Sequence, residues 1–325
     1  MMAGCMVPVR FIPDSGSKPV YRSLGKTGLS VPIVSSGIIP QDNPNLIKAI
    51  FDSGIRLFDS AWDYQNGRND TMVGEMVRKL GRDKYVVTTK VLLPSDDKTG
   101  QFTKEATTQA FMEQLDVSLK RMGIDGVDIL YLHKPPTRSA LLNQEMMKGL
   151  QHAKEQGKAR FVGFSNHSNQ VELIDAAIES KFYDVVLVGY NFRQDNIVKP
   201  AIARAHEANL GVVAMKVFAG EYLDKERNKP VNKAAALKWV LQDEHVHTAI
   251  LTMRTYQDLQ TNMQVMADLT MTDQERKDLA EACQSSGLYC LGCEECKVNC
   301  SMQFNVEARI KDIVRLKQVP PDFLT

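Results

Sequence analysis

None of the 20 glycines in this 325-residue chain forms a Gly-x-Gly pair. That removes the dinucleotide fingerprint of a Rossmann fold, and the lysine-ended phosphate loop is missing as well. No apolar run approaches the ~18 residues of a spanning helix, so a membrane span is not expected. Forty basic residues against 39 acidic ones leave a net charge of +1, which argues against nucleic acid or an anionic membrane surface as partner. An export signal with charged and apolar regions is also lacking, so the expected location is cytoplasmic. Met2-Ala3-Gly4-Cys5 looks like the tail of a lipoprotein or export segment, which keeps an exported protein as the alternative.

Cysteine is scarce, at six, yet four fall in one stretch: Cys290, Cys293, Cys296 and Cys300. The order C-x2-C-x2-C-x3-C is the ligand run of bacterial iron–sulfur ferredoxins, in which closely spaced thiolates wrap one compact cluster. Ser301 follows where proline is usual, and zinc would be satisfied by the same ligands. Disulfides are the plain alternative, although such close spacing suits shared ligation better than paired cross-links. The fourth cysteine of a ferredoxin run can serve a second cluster, and no second run exists here. Either Cys300 folds back or Cys283 completes the set.

With 43% apolar residues the chain can bury a large core. Between about Val31 and Ala267, short β-branched runs alternate with longer amphipathic stretches, the pattern of βα units around a parallel sheet. Eight strands are expected, ending near Gly37, Asp59, Lys90, His133, Ser165, Tyr190, Met215 and Leu251. Helical spacing lies between them, as in Phe111-Leu115-Leu119-Met122 and Val171-Ile174-Ile178. The fold class is therefore α/β, a (β/α)8 TIM barrel, with an open doubly wound sheet as the rival. Tyr21 to Val31 reads as a hairpin that could plug the barrel's bottom. Thr272-Asp273-Gln274-Glu275 reads as a capping box opening a helix towards Cys283, and a second helix is expected from about Glu307 to Lys317. The expected division is a tail over 1–20, a barrel over 21–270 and a helical, cysteine-rich extension over 271–325.

Such barrels build their active sites at the carboxyl ends of the strands. Here the second strand ends on Asp59 and leads to Tyr64, the third ends on Lys90 and the fourth on His133. A cation beside a phenol readies it to release a proton, and a carboxylate keeps a buried lysine charged. His133 could orient a carbonyl oxygen or relay a proton. Together the four suit carbonyl reduction, with the oxygen protonated as hydride reaches carbon. Singly, each has a plainer reading: Asp59 and Lys90 as an ion pair, His133 as a core histidine, Tyr64 as packing against Trp62. Their placement after three successive strands favours function.

Over about Tyr21 to Ala267 the chain resembles the aldo-keto reductases, on the opening Arg22-Ser23-Leu24-Gly25-Lys26-Thr27-Gly28-Leu29-Ser30-Val31 and on Gly54-Ile55-Arg56-Leu57-Phe58-Asp59-Ser60-Ala61-Trp62-Asp63-Tyr64. The resemblance implies a catalytic tetrad of Asp59, Tyr64, Lys90 and His133 and a nicotinamide cofactor bound without a Rossmann fold. Ser165 and Asn166 match the pair that holds the carboxamide. Leu187 replaces a frequent glutamine, Tyr190-Asn191 match the motif that follows, and Met215-Lys216 stand where an aromatic often stacks under the ring. Arg254 and Asn262 resemble the residues that hold the adenosine 2′-phosphate and adenine, while Asp258 would oppose a phosphate. NADP is preferred, with NAD possible. A subset of the family carries a ferredoxin-like cysteine tail, which implies a 4Fe-4S cluster on Cys290, Cys293, Cys296 and Cys300.

A cluster passes single electrons and a nicotinamide passes hydride, so the cluster is expected to be structural or sensory. Two other functions are carried: a nicotinamide- or redox-sensing interaction protein, and a cluster-coupled oxidoreductase with an electron-transfer partner. The expected substrate is a small-molecule carbonyl compound, and Trp62, Phe218 and Tyr222 suggest an apolar pocket, with ordinary packing as the plainer reading of Phe218 and Tyr222.

Overall fold

Eight of the β-branched runs close into one parallel barrel. The computed structural model describes residues 19–37, 43–194, 196–223 and 228–284. In chain order the strands are β1 (Tyr21–Ser23), β2 (Ser30–Pro32), β3 (Val34–Gly37), β4 (Leu57–Asp59), β5 (Val86–Val91) and β6 (Ser95–Asp96). They continue as β7 (Gln101–Phe102), β8 (Val127–His133), β9 (Ala159–Asn166), β10 (Val185–Gly189), β11 (Gly211–Met215) and β12 (Thr248–Thr252). Helices α1 (Pro44–Asp52), α2 (Arg68–Val77), α3 (Thr108–Met122), α4 (Arg138–Leu141) and α5 (Gln144–Glu155) lie in the first half. The second half holds α6 (Gln170–Ser180), α7 (Lys199–Glu207), α8 (Lys233–Leu241), α9 (Tyr256–Ala267) and α10 (Asp273–Gln284). The barrel runs β3-β4-β5-β8-β9-β10-β11-β12 and closes on itself. Its strand ends fall within one residue of those read from the sequence.

Side-chain alternation divides each strand between two cores. Along β8, Leu130 and Leu132 face the helices while Ile129 and Tyr131 join the inner cluster, which puts His133 inward at the strand's end. On α3 the buried face is Phe111, Leu115, Leu119 and Met122, as the spacing predicts, and Gly123 ends the helix with φ of 65°. On α6 the face is rotated from the predicted one. Leu173, Ile174, Ala176 and Ala177 are buried, and Val171 and Ile178 only flank them.

The β1–β2 hairpin does plug the barrel. Leu24, Leu29 and Val31 join the inner cluster with Leu57, Val86 and Val213. The plug seats backbone to backbone: Lys26 N donates to Asn209 O at 2.8 Å, and a Cβ on Gly25, whose φ is +48°, would come 2.5 Å from Gly211 N. At the other end of the chain, Thr272 and Glu275 form the expected capping box, with Glu275 N to Thr272 Oγ1 at 3.1 Å and Thr272 N to Glu275 Oε2 at 2.7 Å. Met271, Leu279 and Ala282 then pack on Ala235 and Ala236 of α8, on Phe192 and on Ala219. So α10 is attached to the barrel. The cysteine run and the expected helix over 307–317 lie outside the described residues. Among the described residues no helix is long and apolar enough to cross a membrane.

Candidate active site

The four side chains singled out at the strand ends meet at the carboxyl end of the barrel. Lys90 Nζ donates to Asp59 Oδ2 at 2.5 Å and to Ser60 O at 2.7 Å, while Thr88 Oγ1 donates to Asp59 Oδ1 at 2.6 Å. Both charges are out of water, at 4% and 1% exposure, so each requires the other. The ammonium lies 4.7 Å from the centre of the Tyr64 ring, and that ring meets His133 edge-on at 5.9 Å. Neither His133 nitrogen has a hydrogen-bond partner, although Asp63 Oδ1 stands 3.6 Å from Nδ1. An imidazole with two unpaired, buried nitrogens is poised for a ligand.

Protonation follows from the same geometry. Burial pulls the Lys90 pKa down, but Asp59 and Tyr64 outweigh it and the net shift is upward, so the ammonium persists. Burial raises the Tyr64 pKa more than Lys90 lowers it. This corrects the expectation of a net downward push from the cation, because a dry phenolate is costlier than the cation can offset. The phenol therefore stays protonated at neutral pH. His133 is pushed to about 4 by burial, with Lys90 and Lys134 adding to the fall against Asp63, so its imidazole is neutral.

Behind the tetrad, a buried network fixes the loop that carries Tyr64. Ser60 Oγ donates to Asp70 Oδ1 at 2.5 Å and accepts from Asn69 Nδ2 at 2.8 Å, and Arg121 Nη1 holds Trp62 O at 2.9 Å. Burial raises the Asp70 carboxyl to about 6. After Tyr64, Gln65 and Asn66 take φ of 50° and 54° and Gly67 takes 87°. Lys134, Asn169, Lys216 and Ala219 are also left-handed, and they too lie on this rim. Strain of this kind gathers where surrounding structure over-determines it, often at functional sites.

A cavity of about 300 Å³ opens beside the tetrad and is lined by Asp59, Tyr64, Leu187, Met215, Lys216 and Arg254 among others. Phe218 lines it too. Ser165 is fully buried and its Oγ has no partner. Asn166 is committed to its own loop, with Nδ2 on Pro135 O and Oδ1 accepting from His167 N at 2.6 Å and Ser168 N at 3.1 Å. Tyr190 points out of the cavity: its hydroxyl donates to Asp243 Oδ2 at 2.7 Å and its ring packs on Trp239. Asn262 is buried on α9 and does not line the cavity. Arg254 Nη1 pairs with Glu221 Oε1 at 2.7 Å. Asp258 turns one oxygen to Arg254 N, Thr255 N and Thr255 Oγ1, capping α9.

Sequence reasoning passed over His167, Glu221 and Asp63. His167 lines the cavity, and burial with Lys216 nearby keeps it well below its usual pKa. Its place directly after Ser165-Asn166 was the available signal. Glu221, 33 residues from Arg254, gave none. Among the described residues no group of three or more His, Cys, Asp or Glu could hold a metal ion. Cys290, Cys293, Cys296 and Cys300 lie outside those residues, and Cys283 Sγ stands 3.8 Å from Phe192 O.

A model of the Aldo/keto reductase family matches residues 30–235. L-glyceraldehyde 3-phosphate reductase of Escherichia coli strain K12 is 25% identical over 322 residues, covering 81% of this chain and 92% of that protein. A Schizosaccharomyces pombe protein named for the beta subunit of a voltage-gated potassium channel is 32% identical over 164 residues, or 50% of this chain and 46% of that protein. The chain thus spans about half the length of the channel-subunit relatives it matches. In fold it is similar to a Pseudomonas aeruginosa structure solved as an aldo-keto reductase, with a TM-score of 0.66, 24% identity, and coverage of 80% and 99% of the two chains. A Bacillus halodurans aldo-keto reductase in its holo form gives a TM-score of 0.64 at 19% identity, covering 85% of this chain and all of that one.

Proposed function

The chain belongs to the aldo/keto reductase family of NAD(P)-dependent oxidoreductases, and from that membership we propose that it reduces aldehyde or ketone carbonyls with NADPH, using Tyr64 as general acid. The observation that carries the reading is the meeting of a protonated phenol, a charged lysine locked on a buried carboxylate, and a neutral imidazole, with the phenol and the carboxylate lining the cavity. The residues fit a nicotinamide on one point in particular: the orphaned Ser165 hydroxyl gives a carboxamide a partner. Ser165, Met215 and Lys216 would hold that end, with Asn166 and Tyr190 fixing the loops behind it, and Arg254 and Asn262 the adenosine end. When bound, the cofactor supplies hydride to the carbonyl carbon. Tyr64 gives its proton to the carbonyl oxygen, and Lys90, held by Asp59, stabilises the resulting phenolate until solvent reprotonates it. His133 offers a ring N–H to the same oxygen and fixes its direction.

NADPH is favoured over NADH by Arg254. Its pairing with Glu221 is more than half exposed on both sides, so a phosphate could replace the carboxylate at a cost of about 1 kcal/mol or less. The test is carbonyl-dependent oxidation of NADPH over a panel of aldehydes and ketones. Tyr64→Phe is expected to lower turnover by about 10²–10⁴ while cofactor binding persists. Unchanged turnover in that variant would remove Tyr64 as the acid. Cofactor binding without turnover on any carbonyl would favour the sensing protein, a second reading supported by the match to the channel-subunit relative.

We further propose that Cys290, Cys293, Cys296 and Cys300 hold an accessory 4Fe-4S cluster in an extension over 271–325, following a tail over 1–20 and a barrel over 21–270. Its support is the ligand spacing. About four irons and four sulfides per chain after anaerobic purification are expected. Zinc or no metal would sink it. A change in the cluster's spectrum on adding NADPH or an electron donor would favour the coupled oxidoreductase instead.

A further inference from the structure

At the amino ends of the strands, opposite the tetrad, a second and larger cavity of about 700 Å³ opens between the plug hairpin and the starts of β4, β5 and β9. Four cations line it: Arg56, Arg82, Lys84 and Arg160. Facing them are two carboxylates, Asp83 on the wall and the fully buried Asp128 behind it. A chain of near-neutral net charge thus concentrates an excess of two positive charges in one concave place.

The guanidinium groups are held in place. Arg82 Nη2 and Arg160 Nη1 each reach a different oxygen of Asp128 at 2.8 Å, and Arg82 and Arg160 lie against the rings of Tyr85 and Phe161. Arg56 sits 4.0 Å over the Phe51 ring and donates to the Phe51 carbonyl. Each spends one nitrogen, or two, on these anchors and keeps further N–H groups. Lys84 makes no ion pair among the described residues, and the side chains of Arg82 and Arg160 are 43% and 57% exposed. A structural brace for Asp128 needs two cations at most. The other two have no structural carboxylate to serve, and immobilised guanidinium forks are preorganised for oxyanions.

We propose that this cavity binds a small phosphate-bearing anion, independently of the site at the strands' other end. The probe is inorganic pyrophosphate in isothermal titration against the full chain, with monophosphate and sulfate for comparison. In Arg254→Gln, which removes the phosphate contact at the strands' other end, one saturable site is expected, tightest for pyrophosphate. Lys84→Glu should weaken it about tenfold, a loss of about 1.4 kcal/mol, with an unchanged melting temperature, because Lys84 anchors nothing. Arg160→Gln should weaken it as well, and if that variant fails to fold, Lys84→Glu alone carries the test. Absence of saturable binding, equal binding in Lys84→Glu, or loss in Arg254→Gln would overturn the proposal.

Discussion

Two buried carboxylates, one at each end of the same barrel, meet their cations in opposite ways. At the bottom, Asp128 takes Arg82 and Val87 N on one oxygen and Arg160 on the other, at 2.8, 2.9 and 2.8 Å. Its cations stand at the solvent edge, so the charge is shared with water. At the top, the partner of Asp59 is a lysine that is itself 1% exposed; Tyr64 beside it lines the cavity, and the buried nitrogens of His133 and the hydroxyl of Ser165 have no partner. Satisfied bonds fix Asp128 itself as a brace and leave only its cations' outer N–H groups for a ligand, whereas at the top the unsatisfied groups lie beside the buried pair. The lesson is that burial of an ion pair says little about its role; the state of its neighbours says more.

The widest way to break the contrast is to remove one carboxylate's partner at the top. Lys90→Met should cost about 10²–10⁴ in turnover, by leaving the Tyr64 phenolate without its cation, and should destabilise the fold by leaving Asp59 charged and unpaired. Loss of stability with turnover intact would make this pair a brace like the other. The converse holds at the bottom. Asp128→Ala should lower stability by about 3 kcal/mol through the orphaned Val87 N–H and two lost charged hydrogen bonds. Turnover at a temperature where the variant is folded should be near wild type, as chemical denaturation and initial rates together would show.

A finer test uses pH. Asp70 and His133, both near the top pair, are shifted in opposite directions, to about 6 and about 4. The raised Asp70 carboxyl contributes stability that is full below its unfolded value of 3.8 and is lost as pH rises through about 6. The depressed His133 contributes stability that is present above 6.5 and is lost as pH falls through about 4. The two slopes oppose one another between about pH 4 and 6, so their joint contribution is nearly flat. Asp70→Asn should expose the His133 slope, and the variant should lose on the order of 2–3 kcal/mol more than wild type between pH 7 and 4. Parallel curves for the two proteins would mean that the Asp70 carboxyl is not raised.

What was legible in the sequence was whatever a strand's own residues decide. β-branched runs fix where strands end, and a polar residue at such an end, as at Asp59, Lys90 or His133, must face the rim. What a loop or a distant partner decides was hidden. Asn66-Gly67 is a turn signal, but nothing in Gln65 announces that it too is left-handed. Tyr190 directly follows a strand, as Lys90 lies one residue from the end of another, yet its ring packs on Trp239 and its hydroxyl on Asp243, some fifty residues on. The buried face of α6 includes Ala176 and Ala177, which are weak as apolar signals in a sequence pattern.

The smallest expected effect sharpens the comparison by adding a third ion pair, one that is neither buried nor fixed. Arg254 and Glu221 are 55% and 53% exposed, so their bond contributes about 1 kcal/mol or less. If Arg254 meets the 2′-phosphate of NADPH, Glu221 must leave it first, and the carboxylate competes with the ligand. Glu221→Gln should then tighten NADPH binding a few-fold, leave NADH binding unchanged and leave stability within about 0.5 kcal/mol. Titration of both cofactors by fluorescence separates these outcomes. Equal tightening of both would mean that the effect is general charge and not the phosphate. A surface pair of this kind is expendable where the two buried ones are not, which is why its loss should be read in ligand binding and not in stability.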